Sequence, residues 1–210
     1  MKTLVILSSI LGNRSHSKEL ADHMVARIKQ ADPAAVITTR DIGAEPLPYF
    51  DGATAGALFT PADARTLEQQ RIVERSDALI AELLQADRIV FAVPVYNFTL
   101  PAQLKSYLDH VARAGVTFRY TPEGVAEGLV KGKQVFVLTA RGGKAEGTPN
   151  DTMTPYLRQM LGFLGMNEVT FIAAEGMAMG EVAALEGVAL ARQRIDALDL
   201  TPARSALQAA

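Results

Sequence analysis

Three short stretches carry residues whose types could act together on one ligand. The first is Ser8-Ser9-Ile10-Leu11-Gly12-Asn13-Arg14-Ser15-His16-Ser17, which follows an apolar run and precedes a helical pattern. A helix start offers unpaired N–H groups and a positive dipole end, which suit a phosphate dianion. Ser9, Ser15 and Ser17 add hydroxyl donors, and Gly12 permits a tight turn. No G-x-G-x-x-G follows this run and no G-x-x-x-x-G-K-[ST] occurs anywhere, so a terminal monophosphate fits better than a bridging pyrophosphate or a P-loop triphosphate. Ordinary helix capping by Ser15 explains the same residues without a ligand. His16 is expected to be exposed or hydrogen-bonded locally rather than catalytic.

The second stretch is Val93-Pro94-Val95-Tyr96-Asn97-Phe98-Thr99-Leu100-Pro101. Aromatic rings pack on the face or edge of a flat ligand, and an Asn can donate and accept at its polar rim. Two core aromatics in a proline-rich turn are the plainer alternative. The third is Thr139-Ala140-Arg141-Gly142-Gly143-Lys144. Paired glycines let backbone N–H groups approach a ligand closely, and such donors suit the pyrimidine carbonyls of an isoalloxazine ring. Arg141 either adds charge there or pairs locally.

Positioning these stretches requires strands that end beside one another. Apolar, β-branched runs occur at 3–7, 35–39, 88–93 and 134–139, with a weaker one at 168–173. None alternates cleanly, as expected of a parallel sheet covered on both faces. Helical faces lie between them: Leu20, Ala21, Met24, Val25 and Ile28, then Met153, Tyr156, Leu157, Met160 and Leu161. Helices also fit 61–84, with Pro61 in the first turn, 101–112 and 181–198. Strand–helix alternation repeated five times predicts an α/β, doubly wound, five-stranded parallel sheet of flavodoxin-like order 2-1-3-4-5, with helices on both faces. In that order the three stretches surround the switch point where ligands bind. One domain over 1–203 is expected, with a frayed tail at 204–210. The segments 42–60 and 115–133 exceed the minimal fold; each is a lid, a dimer contact or an insertion.

Composition narrows the chemistry. The chain has no cysteine, which removes disulfides, thiol redox chemistry and iron–sulfur clusters. Its three histidines are widely spaced, so no transition-metal site is expected, and any redox chemistry falls to an organic cofactor. A net charge of -2 without long basic runs argues against nucleic acid, and is too mild for a strongly acidic electron carrier. The first apolar run is too short for a signal peptide, and no run is long enough to span a bilayer, so a cytoplasmic location is expected.

These residues resemble the FMN-dependent NADH-azoreductase family, a branch of the flavodoxin-like NAD(P)H:quinone reductases. The likeness rests on Pro94-Val95-Tyr96-Asn97-Phe98 with Gln103-Leu104-Lys105 and Asp109, on the run from Ala112 through Thr121 with Glu127-Gly128-Leu129, and on Arg141-Gly142-Gly143. Thr154-Pro155-Tyr156-Leu157, Leu161-Gly162-Phe163 and Ala174-Glu175-Gly176 extend it. The resemblance implies that Ser9, Ser15, His16 and Ser17 hold the phosphate of a tightly bound FMN. It implies that Val95, Tyr96, Asn97, Phe98, Ala140, Arg141, Gly142 and Gly143 hold the isoalloxazine. It further implies a homodimer with two active sites at the interface, the substrate space bordered by Tyr120 and Phe163. Val95 and Ala140 stand where relatives often carry Met and Ser. The implied reaction passes hydride from NADH or NADPH through flavin N5 to quinones or aromatic azo compounds by ping-pong kinetics, with no catalytic side chain. A cofactor-free scaffold and an electron-transfer carrier of the same fold are the rival readings.

Overall fold

A computed structural model describes residues 1–202; the expected tail at 204–210 lies outside the described residues. In chain order the elements are β1 (Lys2–Leu7), α1 (His16–Ala31), β2 (Val36–Asp41), α2 (Gly52–Phe59), α3 (Leu67–Gln85), β3 (Arg88–Pro94), α4 (Ala102–Val111), β4 (Phe118–Tyr120), β5 (Ala126–Gly128), β6 (Gln134–Ala140), α5 (Met153–Leu164), β7 (Val169–Ala174) and α6 (Glu181–Asp196). Single 3-10 turns cover Gly12–Arg14 and Ala62–Ala64.

Five strands form one parallel sheet in the order β2-β1-β3-β6-β7, which is 2-1-3-4-5 when these five alone are counted. Alternate residues of each strand serve different layers. Leu4, Ile6, Ile89, Phe91, Val93, Val135 and Val137 pack with side chains from α3, α4 and α5. Val5, Leu7, Val90, Ala92, Phe136 and Leu138 pack instead with α1 and α6. All seven residues of β3 are buried, which explains its unbroken apolar run. Full burial of a Val, Ile or Phe is worth roughly 1.5–3 kcal/mol, so β3 and β6 anchor the fold. At the edge β2 is largely exposed, and its polar Thr38, Thr39 and Arg40 suit that position.

One expectation shifts, at Pro61, and the two segments beyond the minimal fold gain structure. The segment 42–60 is not all loop: Asp51 accepts the Thr54 N–H at 2.8 Å and starts α2. The third helix does not begin at Pro61. Pro61 precedes the short 3-10 turn, and Thr66 caps α3 seven positions before the first buried residue of that helix, Val73, sharing a capping box with Gln69. The segment 115–133 folds as an antiparallel hairpin in which Phe118 faces Gly128 and Tyr120 faces Ala126. Gly128 explains where that hairpin sits. A Cβ there would lie 2.1 Å from the Gly165 nitrogen, so only glycine lets the hairpin dock against the end of α5.

Candidate active site

The loops after β1, β3 and β6 leave the same end of the sheet, side by side. In the first, Ser15 caps α1 by accepting the Lys18 N–H at 3.3 Å, and its Oγ lies 3.0 Å from the Oγ of Ser17. Ser9, Ser15 and Ser17 are buried. The N–H groups of His16 and Ser17 donate to nothing among the described residues, as first-turn groups of a helix do. The His16 ring points elsewhere, to Glu19 at 3.3 Å, so only its backbone serves this loop. Gly43 fixes the loop from behind: a Cβ there would lie 2.1 Å from the Ser9 carbonyl oxygen.

The loop after β3 closes on itself. Tyr96 N–H donates to Thr99 O at 2.9 Å and Thr99 N–H returns to Tyr96 O at 3.1 Å. The two residues between them, Asn97 and Phe98, both have left-handed backbones, with φ of 47° and 72°. That pattern belongs to a type I′ turn, where Asn-Gly is usual. A phenylalanine at such a φ is strained, and strain of this kind gathers at functional sites. The turn leaves the Phe98 ring 81% exposed. The Tyr96 hydroxyl lies 3.0 Å from Ser9 Oγ and so ties this loop to the first.

In the loop after β6, the carbonyls of Arg141, Gly142 and Gly143 accept N–H groups of Met177, Ala178 and Gly176 at 3.0–3.2 Å. The N–H groups of Gly142 and Gly143 have no partner among the described residues. Val95, Asn97, Phe98 and residues 141–143 line a single cleft of about 640 Å³ together with residues 149–153. Ala140 does not line it; its carbonyl accepts the Val95 N–H at 2.8 Å beside the cleft. A larger hollow of about 900 Å³ lies at the opposite end of the sheet, near Met1, Asp87 and Gln134. Open α/β sheets bind ligands beyond the carboxyl ends of their strands, so the smaller cleft is the functional candidate.

Arg141 pairs locally. Its buried guanidinium lies 3.2 Å from Asp151 and 3.8 Å from Glu175. Glu175 also accepts the N–H groups of Ala145 and Glu146, each at 2.7 Å. Burial pushes the Asp151 carboxyl upward, but hydrogen bonds from Thr154 and the Arg141 charge outweigh it and hold the group below the usual carboxylate value. Sequence reasoning missed Asp151 and its neighbour Thr152. Their signal was a capping pattern, Asn150-Asp151-Thr152, ahead of the amphipathic face that begins at Met153.

The chain does not bring Tyr120 and Phe163 to its own cleft. Phe163 lies ten residues along α5 from Met153, about 15 Å down the helix axis. Phe118 stacks on it with ring centroids 4.4 Å apart, and Tyr120 meets Phe118 edge-on at 5.8 Å. The Tyr120 ring is mostly exposed.

A parallel 2-1-3-4-5 sheet with three ligand-ready loops at its switch point defines a flavodoxin-like protein, and a family model described as a flavodoxin-like fold matches residues 1–198. A protein of Bordetella parapertussis, named FMN-dependent NADH:quinone oxidoreductase, is 74% identical over 210 residues and covers 100% of both chains. A protein of Burkholderia lata, named FMN-dependent NADH:quinone oxidoreductase 6, is 53% identical over 194 residues, or 92% of this chain and 98% of that one. The crystal structure of an azoreductase from Bacillus anthracis superposes with a TM-score of 0.84 at 29% identity, covering 93% of this chain and 96% of its own. The chain belongs to the FMN-dependent NADH:quinone oxidoreductase family of flavodoxin-like proteins.

Proposed function

We propose that this chain is a cytoplasmic FMN-dependent oxidoreductase that passes hydride from NADH or NADPH to quinones and aromatic azo compounds, binding donor and acceptor in turn. Bound FMN supplies the hydride-accepting and hydride-donating centre. The observation that carries the reading is the set of unspent N–H groups, on His16 and Ser17 in one loop and on Gly142 and Gly143 in another, at one end of the sheet. The first pair, with the hydroxyls of Ser9, Ser15 and Ser17, fits a phosphate. The second pair fits the carbonyl rim of the isoalloxazine and favours negative charge on it. Val95, Tyr96 and Phe98 wall the ring, and Asn97 orients its polar edge. Arg141 contributes through its backbone, since its side chain faces Asp151 and Glu175.

The aromatic pair completes the site from a second copy. Neither Tyr120 nor Phe163 lines the chain's own cleft, which supports a homodimer with two interfacial sites in which each pair borders the partner's cleft. No helix among the described residues is long and apolar enough to cross a membrane.

Two measurements test this. The purified protein should be yellow, and NADH should bleach it anaerobically until a quinone restores the colour. A colourless protein that takes up no FMN at micromolar concentration overturns the reading. Tyr120→Ala should slow acceptor turnover by about 10-fold, the scale of one lost aromatic contact, while FMN stays bound; unchanged turnover across quinones and azo dyes removes Tyr120 from the site.

A further inference from the structure

Asp151 and Thr152 are consecutive, and their side chains reach two different loops. The Asp151 carboxylate lies 3.2 Å from the Arg141 guanidinium, and both side chains are 6% exposed. The Thr152 hydroxyl donates to the carbonyl of Phe98. Arg141 stands in the loop after β6 and Phe98 in the loop after β3, so the pair spans the cleft between them. At the base of the cleft these loops are already joined by the Val95–Ala140 backbone bond. At the rim, no backbone hydrogen bond joins them among the described residues.

We propose that Asp151 and Thr152 are positioning residues: a two-residue clasp that sets the width of the cleft into which the flat cofactor ring fits. The proposal rests on the functional reading above. The Tyr96–Thr99 bonds close the turn from within, and the bond from Thr152 to the Phe98 carbonyl ties its strained tip to the segment ahead of α5. The segment carrying the clasp is itself anchored at its start, where Glu175 accepts the N–H groups of Ala145 and Glu146. Helix capping does not account for the arrangement. Asp151 does accept the Thr154 N–H at 3.2 Å, but the Thr152 side chain makes no capping bond to α5. Its hydroxyl serves the loop alone.

The test compares holoenzymes carrying Thr152→Val, Thr152→Ser and Asp151→Asn by the dissociation constant of FMN, read from the fluorescence of released cofactor. Thr152→Val keeps the side-chain shape and should weaken FMN retention about 3- to 10-fold, the range one hydrogen bond is worth. Thr152→Ser should restore it. Asp151→Asn keeps a capping acceptor for α5 and loses the charge facing Arg141, and it should loosen FMN to a similar degree. If the two contacts form one clasp, the double variant should lose less than the product of the single losses. Thr152→Val protein that holds FMN as the wild type does overturns the proposal, as does a double variant whose losses multiply. Should Asp151→Asn fail to fold, the two Thr152 variants decide alone. Colourless wild-type protein that refuses FMN sinks the functional reading and the clasp together, whereas yellow wild type with unaltered variants sinks the clasp only.

Discussion

The two ends of the sheet treat their polar groups in opposite ways. At the amino end, several charged and backbone groups pair with one another, although Arg88 Nη1 and Thr3 Oγ1 stay buried without a partner. The Met1 ammonium lies 2.7 Å from Asp32, the Lys2 N–H donates to Asp87, and Lys133 caps the end of α3 through the carbonyls of Leu84 and Ala86. Arg88, fully buried at the start of β3, donates to Gln134 and to the Leu200 carbonyl. At the carboxyl end, N–H groups are left unspent, two non-glycine residues hold left-handed backbones, and a phenylalanine ring stands in solvent. One end is built for stability. The other gives some up so that a ligand can complete it.

Four changes would sharpen or break that contrast. Arg88→Ala should cost most, about 3 kcal/mol, because it leaves a buried cavity where a long side chain packed. Thermal melting should fall while the folded fraction still binds FMN stoichiometrically; loss of FMN in parallel would mean the two ends are not separable. Gly43→Ala should cost about 1–3 kcal/mol, since the added methyl meets the backbone of Ser9 and the loop has to shift. Unlike the first change it should also weaken FMN binding, measurable by dialysis.

Phe98→Gly should lower FMN retention with little or no loss of melting temperature. Glycine relieves a left-handed penalty of about 1 kcal/mol, and its greater unfolded-state entropy offsets a similar amount. A fall of several degrees would show that the turn is not strained. The smallest effect concerns acid. Asp151 has a folded-state pKa below its ordinary 3.8, so its contribution to stability is complete above that value and fades as pH drops through the lower folded value. Asp151→Asn should make the acid-unfolding curve shallower in that range, as followed by circular dichroism.

The same contrast governs what could be read in advance. The strands β3 and β6 were legible because burial on both faces demands an unbroken apolar run. The exposed strand β2 ends two residues later than its apolar letters suggest, since Arg40 and Asp41 still pair with β1. Gly52 and Gly56 hid α2, although Asp51 with Thr54 three residues on was its visible cap. Within the site, the hydroxyls of the first loop carried a local signal. Asp151 and Thr152 showed only a helix-start pattern; their reach to the other loops was hidden because it is tertiary, Phe98 lying 54 residues from Thr152 in sequence. The spacing of Tyr120 and Phe163 identified neither, and only resemblance to a family singled them out.

The contact between Ser9 and Tyr96 carries one more consequence. Each hydroxyl owns a single proton, and Ser9 Oγ already accepts the Leu11 N–H at 3.2 Å. With no anion present, either oxygen can give its proton to the other. Were an anion to sit beside Ser9, it would claim the serine proton, and Tyr96 would have to turn its own toward the serine. The orientation of that one hydrogen would register, in the loop beside the ring, whether the far end of the ligand has arrived.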